Sequence, residues 1–244
     1  MEKRIFGVPE SMTSAATHYC PGCGHGILHR LICEVIDELG VKGKTIAVAP
    51  VGCAVIAYDY WLFDSAEAAH GRTPAVATGI KRSLPDRIVF TYQGDGDLAA
   101  IGTAEIIHTA NRGENITVIF VNNGVYGMTG GQMAPTTLLG QKTQTTLCGR
   151  NNLRDGNPLK ISEMIAILDG ARYVERTSIH DPGHVLKTKR AIKKAFEIQM
   201  NNGGFSMVEV LTMCPTYWAL SPVEACKRIE REVIKAYPLG VLKA

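Results

Sequence analysis

No stretch of this sequence approaches the roughly 18 uninterrupted apolar residues that a membrane-crossing helix needs. The first twenty residues carry Glu2, Lys3, Arg4 and Glu10 and hold no apolar core of a secretory leader. Excess charge is equally scarce. Lysine and arginine number 26 against 23 acidic residues, and a net charge of +3 is too small to line a nucleic-acid groove. Internal repeats and low-complexity tracts are missing too. The expectation is therefore a cytoplasmic protein with neither membrane nor nucleic acid among its partners. In that reducing compartment seven cysteines stay free or bind metal rather than pair, and their odd count points the same way.

What is present describes an ordinary globular chain. Apolar residues make up 45% of the 244 and charged ones 20%, enough to bury one sizeable core. The basic run Lys187, Lys189, Arg190, Lys193 and Lys194 falls at helical spacing beside Ile192, Ala195 and Phe196. It reads as a solvated helix face rather than a phosphate site.

Short runs rich in β-branched and aromatic residues, bounded by turn formers, predict strands over 45–48, 87–92, 115–121, 171–176 and 206–211. Several are apolar nearly throughout, as in a parallel sheet covered on both faces. Helical spacing predicts helices over 27–39, 101–112, 161–168, 181–202 and 221–236, with Asp181 as an N-cap and Pro182 in the first turn. This alternation predicts an α/β fold: one domain spanning 1–244, an open, mostly parallel sheet with helices on both faces. The stretch 124–160, with seven glycines and two prolines, reads as a long loop, and such loops are usually functional or disordered.

In such sheets ligands bind beyond the carboxyl ends of the strands. The predicted strand 87–92 runs into Gln93-Gly94-Asp95-Gly96-Asp97, and the strand 115–121 into Asn122-Asn123-Gly124. With 25 residues between Gly96 and Asn122, Asp95 and Asn123 should emerge at one edge within reach of a single ion. A carboxylate and an amide carbonyl suit Mg2+, a hard cation that takes oxygen ligands. The other motif, Cys20-Pro21-Gly22-Cys23, is half of a zinc site, half of an iron–sulfur site, or a redox dithiol.

The Gly-Asp-Gly and Asn-Asn pair resembles the diphosphate-anchoring signature of thiamine-diphosphate enzymes. Together with CPGCGHG, PVGCAV, EAAHGRTPAVATGIK, VNNGVYGMTGGQ and CPTYWALSPVEA, it resembles the β subunit of the 2-oxoacid:ferredoxin oxidoreductases over most of the chain. That resemblance implies a thiamine-diphosphate-binding fold and a four-iron–four-sulfur (4Fe-4S) cluster held by Cys20, Cys23, Cys53 and Cys214. It implies Mg2+ held by Asp95, Asn123 and the carbonyl of Val125. Val51, Gly52, Cys53, Ala54, His70, Gly96, Asp97, Gly127 and Met128 would line the cofactor. Four cysteines also make a structural zinc site, which would fit a non-oxidative thiamine-diphosphate decarboxylase or synthase. Oxidising a 2-oxoacid, however, needs an electron acceptor, and zinc has no accessible redox state.

The resemblance further implies CoA-dependent oxidative decarboxylation of a 2-oxoacid, with ferredoxin as the outlet. No glutamate-bearing pyrimidine domain is legible, and no CxxCxxCxxxCP run carries electrons outward. The expected partners are an α subunit supplying that glutamate, a γ subunit and a ferredoxin-like δ subunit. Gly127-Met128, where pyruvate-specific relatives tend to carry Ser-Asn, favours a 2-oxoisovalerate-type substrate or 2-oxoglutarate.

Overall fold

The computed structural model describes residues 7–244, so Glu2, Lys3 and Arg4 lie outside the described residues. The strands are β1 Thr45–Pro50, β2 Asp64–Ala68, β3 Ile88–Gly94, β4 Thr117–Asn122, β5 Val125–Tyr126, β6 Gln132–Met133, β7 Ala171–Ser178, β8 Phe205–Leu211 and β9 Gly240–Lys243. Seven of them form one sheet in the order β2-β1-β3-β4-β8-β7-β9. Every pairing in it is parallel except that of β7 with β9. All five predicted strands are in this sheet, and β5 and β6 form a separate small hairpin.

The interior strands alternate between two cores, because successive side chains point to opposite faces. Ala47 and Ala49, Phe90 and Tyr92, Ile119 and Val121, and Val208 and Val210 face one core. Val48, Val89, Val118, Phe120 and Met207 face the other. The first core is covered by α1, His25–Leu39, whose predicted stripe of Leu28, Leu31, Ile32, Val35 and Ile36 is buried. The second is covered by α2, Thr73–Ser83, by α3, Thr103–Asn111, and by α5, Ile161–Ala166, the short helix α4, Asn152–Asp155, lying before α5 in the chain.

The long helix α6, Pro182–Met200, packs on the first face through Ala191, Ile192, Ala195 and Phe196. Its cap is the one predicted: Asp181 accepts a hydrogen bond from the His184 backbone N–H at 2.8 Å. The basic run is a helix face with partners. Lys189 pairs with Glu34 and Glu38 on α1, both at 2.7 Å, and Lys193 with Glu38 at 3.0 Å. Lys194 lies over the Tyr173 ring.

Several elements depart from the sequence expectations. α2 and the edge strands β2 and β9 were not predicted, and the predicted helix over 101–112 begins earlier, with a wide π-type turn at Asp97–Ile101 immediately after the Gly-Asp-Gly turn. The last helix, predicted over 221–236, starts at the Ser221 cap and is likewise interrupted by a wide turn at Ile229–Val233. Among the described residues no helix is long and apolar enough to cross a membrane.

Candidate functional site

The parallel register delivers both motifs to one edge. β1 ends at Pro50 and leads into 51–54, β2 leads to His70, β3 to Asp95, β4 to Asn123 and β8 to Cys214. A cavity of about 410 Å³ opens there. Its walls include every residue named for the cofactor and the hard cation: Val51, Gly52, Cys53, Ala54, His70, Asp95, Gly96, Asp97, Asn123, Val125, Gly127 and Met128. Pro50, His25, Tyr126, Thr129 and Gln132 also line it. A larger groove of about 1020 Å³ runs between 138–142 and the C-terminal helix, and none of the residues named for the cofactor, the cation or the cluster lines it. The motif residues, not volume, identify the site.

Asp95 is buried at the base of the cavity. One carboxylate oxygen accepts from the Gly96 N–H at 2.8 Å; the other accepts from the Gly124 N–H and the Thr136 hydroxyl, both at 2.7 Å. Burial nevertheless pushes its pKa up to about 6, the three hydrogen bonds pulling the other way. A buried carboxylate that donors alone leave so basic fits a cation ligand, since contact with a cation favours the ionised form. Asn123 lines the same cavity, and its side-chain amide oxygen accepts from the Val125 N–H at 3.1 Å. Strand alternation separates the Asn-Asn pair. Asn122 points away from the cavity and donates to Glu209 at 2.7 Å.

Asp97 has a different part. Its carboxylate accepts from the Gly71 N–H at 2.5 Å and from Gln93 Nε2 at 2.6 Å. It also stands 3.2 Å from Nδ1 of His70. That same nitrogen is 2.8 Å from the Val51 carbonyl. Both neighbours accept, so Nδ1 carries a proton, and in the neutral ring Nε2 is left as an acceptor. Asp97 thus fixes the His70 loop and the ring's tautomer.

Gly96 shows how tightly the wall is built. A Cβ there would fall inside the Tyr126 ring, its Cζ being 2.9 Å away. Gly127 lies against sulfur: a Cβ at that position would be 3.0 Å from Cys53 Sγ and 4.0 Å from Cys214 Sγ. The Cys20–Cys23 turn, closed by a 3.0 Å hydrogen bond from Cys23 N–H to the Cys20 carbonyl, faces the same place. Burial pushes the Cys53 thiol up to about 12, with Cys23, Cys20 and Asp95 adding to the shift. Burial does the same to Cys214, where Cys23, Cys53 and Asp95 add to it. Four thiols from three distant segments therefore share one electrostatic neighbourhood, and all are unpaired as disulfides.

Behind them lies a layer of rings that the sequence motifs did not reveal. His18 Nε2 lies 3.0 Å from the Cys53 carbonyl, and its Nδ1 lies 2.7 Å from the Tyr60 hydroxyl. His25 Nδ1 meets the Tyr92 hydroxyl at 2.7 Å, and burial lowers this histidine to about 4, so its ring is neutral. Of the other three cysteines, Cys33 is buried in the first core, Cys226 packs against it, and Cys148 is exposed.

The fold and this edge define the class, and comparison with known proteins agrees. The family described as Thiamine pyrophosphate enzyme, C-terminal TPP binding domain, matches residues 50–210. The ketoisovalerate oxidoreductase subunit VorA of Methanothermobacter thermautotrophicus is 47% identical over 98% of this chain, and the chain spans 52% of that relative's length. The 2-oxoglutarate synthase subunit KorB of Methanocaldococcus jannaschii is 41% identical over 82% of this chain and 70% of its own length. A solved structure, the 2-oxoglutarate:ferredoxin oxidoreductase from Magnetococcus marinus with 2-oxoglutarate, coenzyme A and succinyl-CoA bound, superposes with a TM-score of 0.78 at 26% identity. That match covers 98% of this chain and 85% of the other. The chain belongs to the family of 2-oxoacid:ferredoxin oxidoreductase β subunits.

Proposed function

We propose that this chain is the subunit that holds thiamine diphosphate, through Mg2+, beside a 4Fe-4S cluster, in a complex that oxidatively decarboxylates a 2-oxoacid to an acyl-CoA and passes electrons to ferredoxin. The observation that carries the reading is the position of Cys53. Its loop lines the cavity next to Asp95, while its sulfur stands beside Gly127 and Cys214. Cofactor and electron acceptor would share one wall.

Bound there, thiamine diphosphate supplies an electron sink for decarboxylation and the cluster takes up electrons one at a time. The chain's own residues hold and orient. Asp95, Asn123 and the Val125 carbonyl would ligate Mg2+. Gly96 and Gly127, lacking side chains, let the backbone approach the diphosphate. His70, held by Asp97 with Nε2 free to accept, would meet a donor on the cofactor. Met128, 54% exposed at the rim, would face substrate. The names of relatives support a 2-oxoisovalerate-type acid or 2-oxoglutarate.

A cluster and a structural zinc ion both take four thiolates; the oxidative reaction needs an electron acceptor, which only the cluster would supply.

Partners follow from the open mouth. Val51 and Met128 on the cavity wall and Ile101 on the wide turn behind it are about half exposed and apolar, a surface for the α subunit that would bring the pyrimidine-side glutamate. Outward electron flow would need the δ subunit, with the γ subunit completing the assembly. The test is anaerobic copurification of the complex, metal analysis, and assay with several 2-oxoacids, coenzyme A and ferredoxin. This chain, once separated from its partners without oxygen, should carry iron and acid-labile sulfide near four of each, on the order of one cluster. Stoichiometric zinc would establish instead the non-oxidative decarboxylase or synthase. The isolated chain should bind cofactor and turn nothing over.

Gly96→Ala supplies a narrower check. Moving the Tyr126 ring should cost about 1–3 kcal/mol, weakening thiamine diphosphate–Mg2+ binding roughly ten- to hundredfold in titration calorimetry of the full chain.

A further inference from the structure

At the carboxyl end of β7, outside the lining of the cavity, the sequence His180-Asp181-Pro182-Gly183-His184 turns into α6. Three potential ligand atoms there, one each from His180, Asp181 and His184, lie within 4.8 Å of one another. One Asp181 carboxylate oxygen accepts from the His184 backbone N–H and caps the helix. The other oxygen faces both rings, 2.6 Å from His184 Nδ1 and 3.1 Å from His180 Nε2. The rings lean together with centroids 4.4 Å apart.

We propose that His180, Asp181 and His184 form a tridentate site for a borderline divalent ion of the zinc, cobalt and nickel class, independent of the cysteine site. Imidazole selects such ions over Mg2+ and Ca2+. Ligands of a tetrahedral ion of this size stand about 3.3 Å apart. The His180–Asp181 spacing is already close to that, and the His184 ring needs to withdraw by roughly 0.7 Å. Metal and cap do not compete, because they use different oxygens of Asp181.

Three surrounding features fit a ligand site. Ser178 Oγ lies 2.9 Å from His180 Nδ1, so with Nε2 on the metal that nitrogen can donate to the serine, the outer-shell bond that metal-bound histidines usually make. Thr188 in turn donates to the Ser178 carbonyl at 2.8 Å and fixes that turn. The Asp181 side chain is partly exposed, which opens the site to solvent, and His184 also lines a small cavity of about 230 Å³ with Glu175, Arg176 and Lys187. Glu230, on the C-terminal helix, adds negative charge facing His180.

The test is a Co2+ titration of the full chain followed by visible absorption, in which nitrogen/oxygen ligation gives ligand-field bands without the near-ultraviolet thiolate transitions of a cysteine site. One equivalent of the first kind is expected. His180→Ala and His184→Ala should each weaken it at least 100-fold and leave any thiolate signal unchanged. Ser178→Ala should weaken it roughly tenfold. Asp181→Asn keeps a capping side chain, so it should lose Co2+ affinity while the metal-free melting temperature holds. Zn2+ should raise the melting temperature of the wild type by more than that of His184→Ala, the cysteine site being common to both. Wild type without a nitrogen/oxygen signal, or His184→Ala binding as tightly as wild type, overturns the proposal.

Discussion

Asp95→Ala should abolish binding of thiamine diphosphate with Mg2+ and lower turnover of the assembled complex at least a thousandfold, about 4 kcal/mol. The carboxylate does two things at once. It offers the cavity's buried negative charge to a cation, and it satisfies the Gly96 and Gly124 N–H groups and the Thr136 hydroxyl. Asp95→Asn should fare little better despite its matching shape. Both oxygens already face donors, so whichever way the amide is turned, its NH2 meets another N–H or O–H. Calorimetry of cofactor binding measures the loss. Iron and sulfide content should stay at the wild-type level, which separates a damaged cation site from a misfolded chain. Retained cofactor affinity in Asp95→Ala would show that the cation is held elsewhere.

Arg176→Met should lower stability by about 3–5 kcal/mol, the usual effect of leaving a buried charge alone. Arg176 is fully buried on β7. Its Nε donates to Glu209 on β8 at 2.6 Å, and its two terminal nitrogens reach Glu163 on α5 at 2.9 and 2.6 Å. Glu209 also accepts from Ser162 at 2.5 Å and from Asn122 at 2.7 Å. Removing the guanidinium strands Glu209 among apolar strands. For a chain of this length the loss should appear as a fall of about 10 °C in melting temperature. Because Asn122 adjoins Asn123, cofactor affinity should drop as well. Adding Glu209→Gln should restore part of the stability, because it removes the stranded charge.

The difference between what the chain revealed and what it hid lies in burial. β1, β3, β4 and β8 were legible because both faces are covered and their residues are apolar nearly throughout, and β7 from its aromatic and β-branched residues between turn formers. β2, Asp-Ser-Ala-Glu-Ala, lies at the sheet's edge, half in solvent, and carries no such pattern. β9 is four residues at the opposite edge. α2 contains Pro74, Gly79 and two threonines, which blur its periodicity. Asp95, Asn123 and the cysteines were legible from residue type and from emerging at strand ends.

The 124–160 stretch was legible only as a loop, and its organiser was not. Arg150 lies almost buried within it and donates to the carbonyls of Ala134, Pro135, Thr137, Gly156 and Asn157 at 2.8–3.3 Å. One guanidinium therefore substitutes for a regular ladder and brings Thr136 to Asp95. No local periodicity announces a side chain bonded to backbone groups on both sides of it in the chain.

Cys20 and Cys214 come from nearly opposite ends of the polypeptide, yet they meet at a single edge of the sheet. On the proposed reading, an inorganic core bonded to both would act as a rivet between the leading and trailing segments. Its insertion has to await their meeting, and its loss to oxygen would unfasten them. Susceptibility to proteolysis at the two ends should then rise together when iron is stripped, long before the strands between them yield.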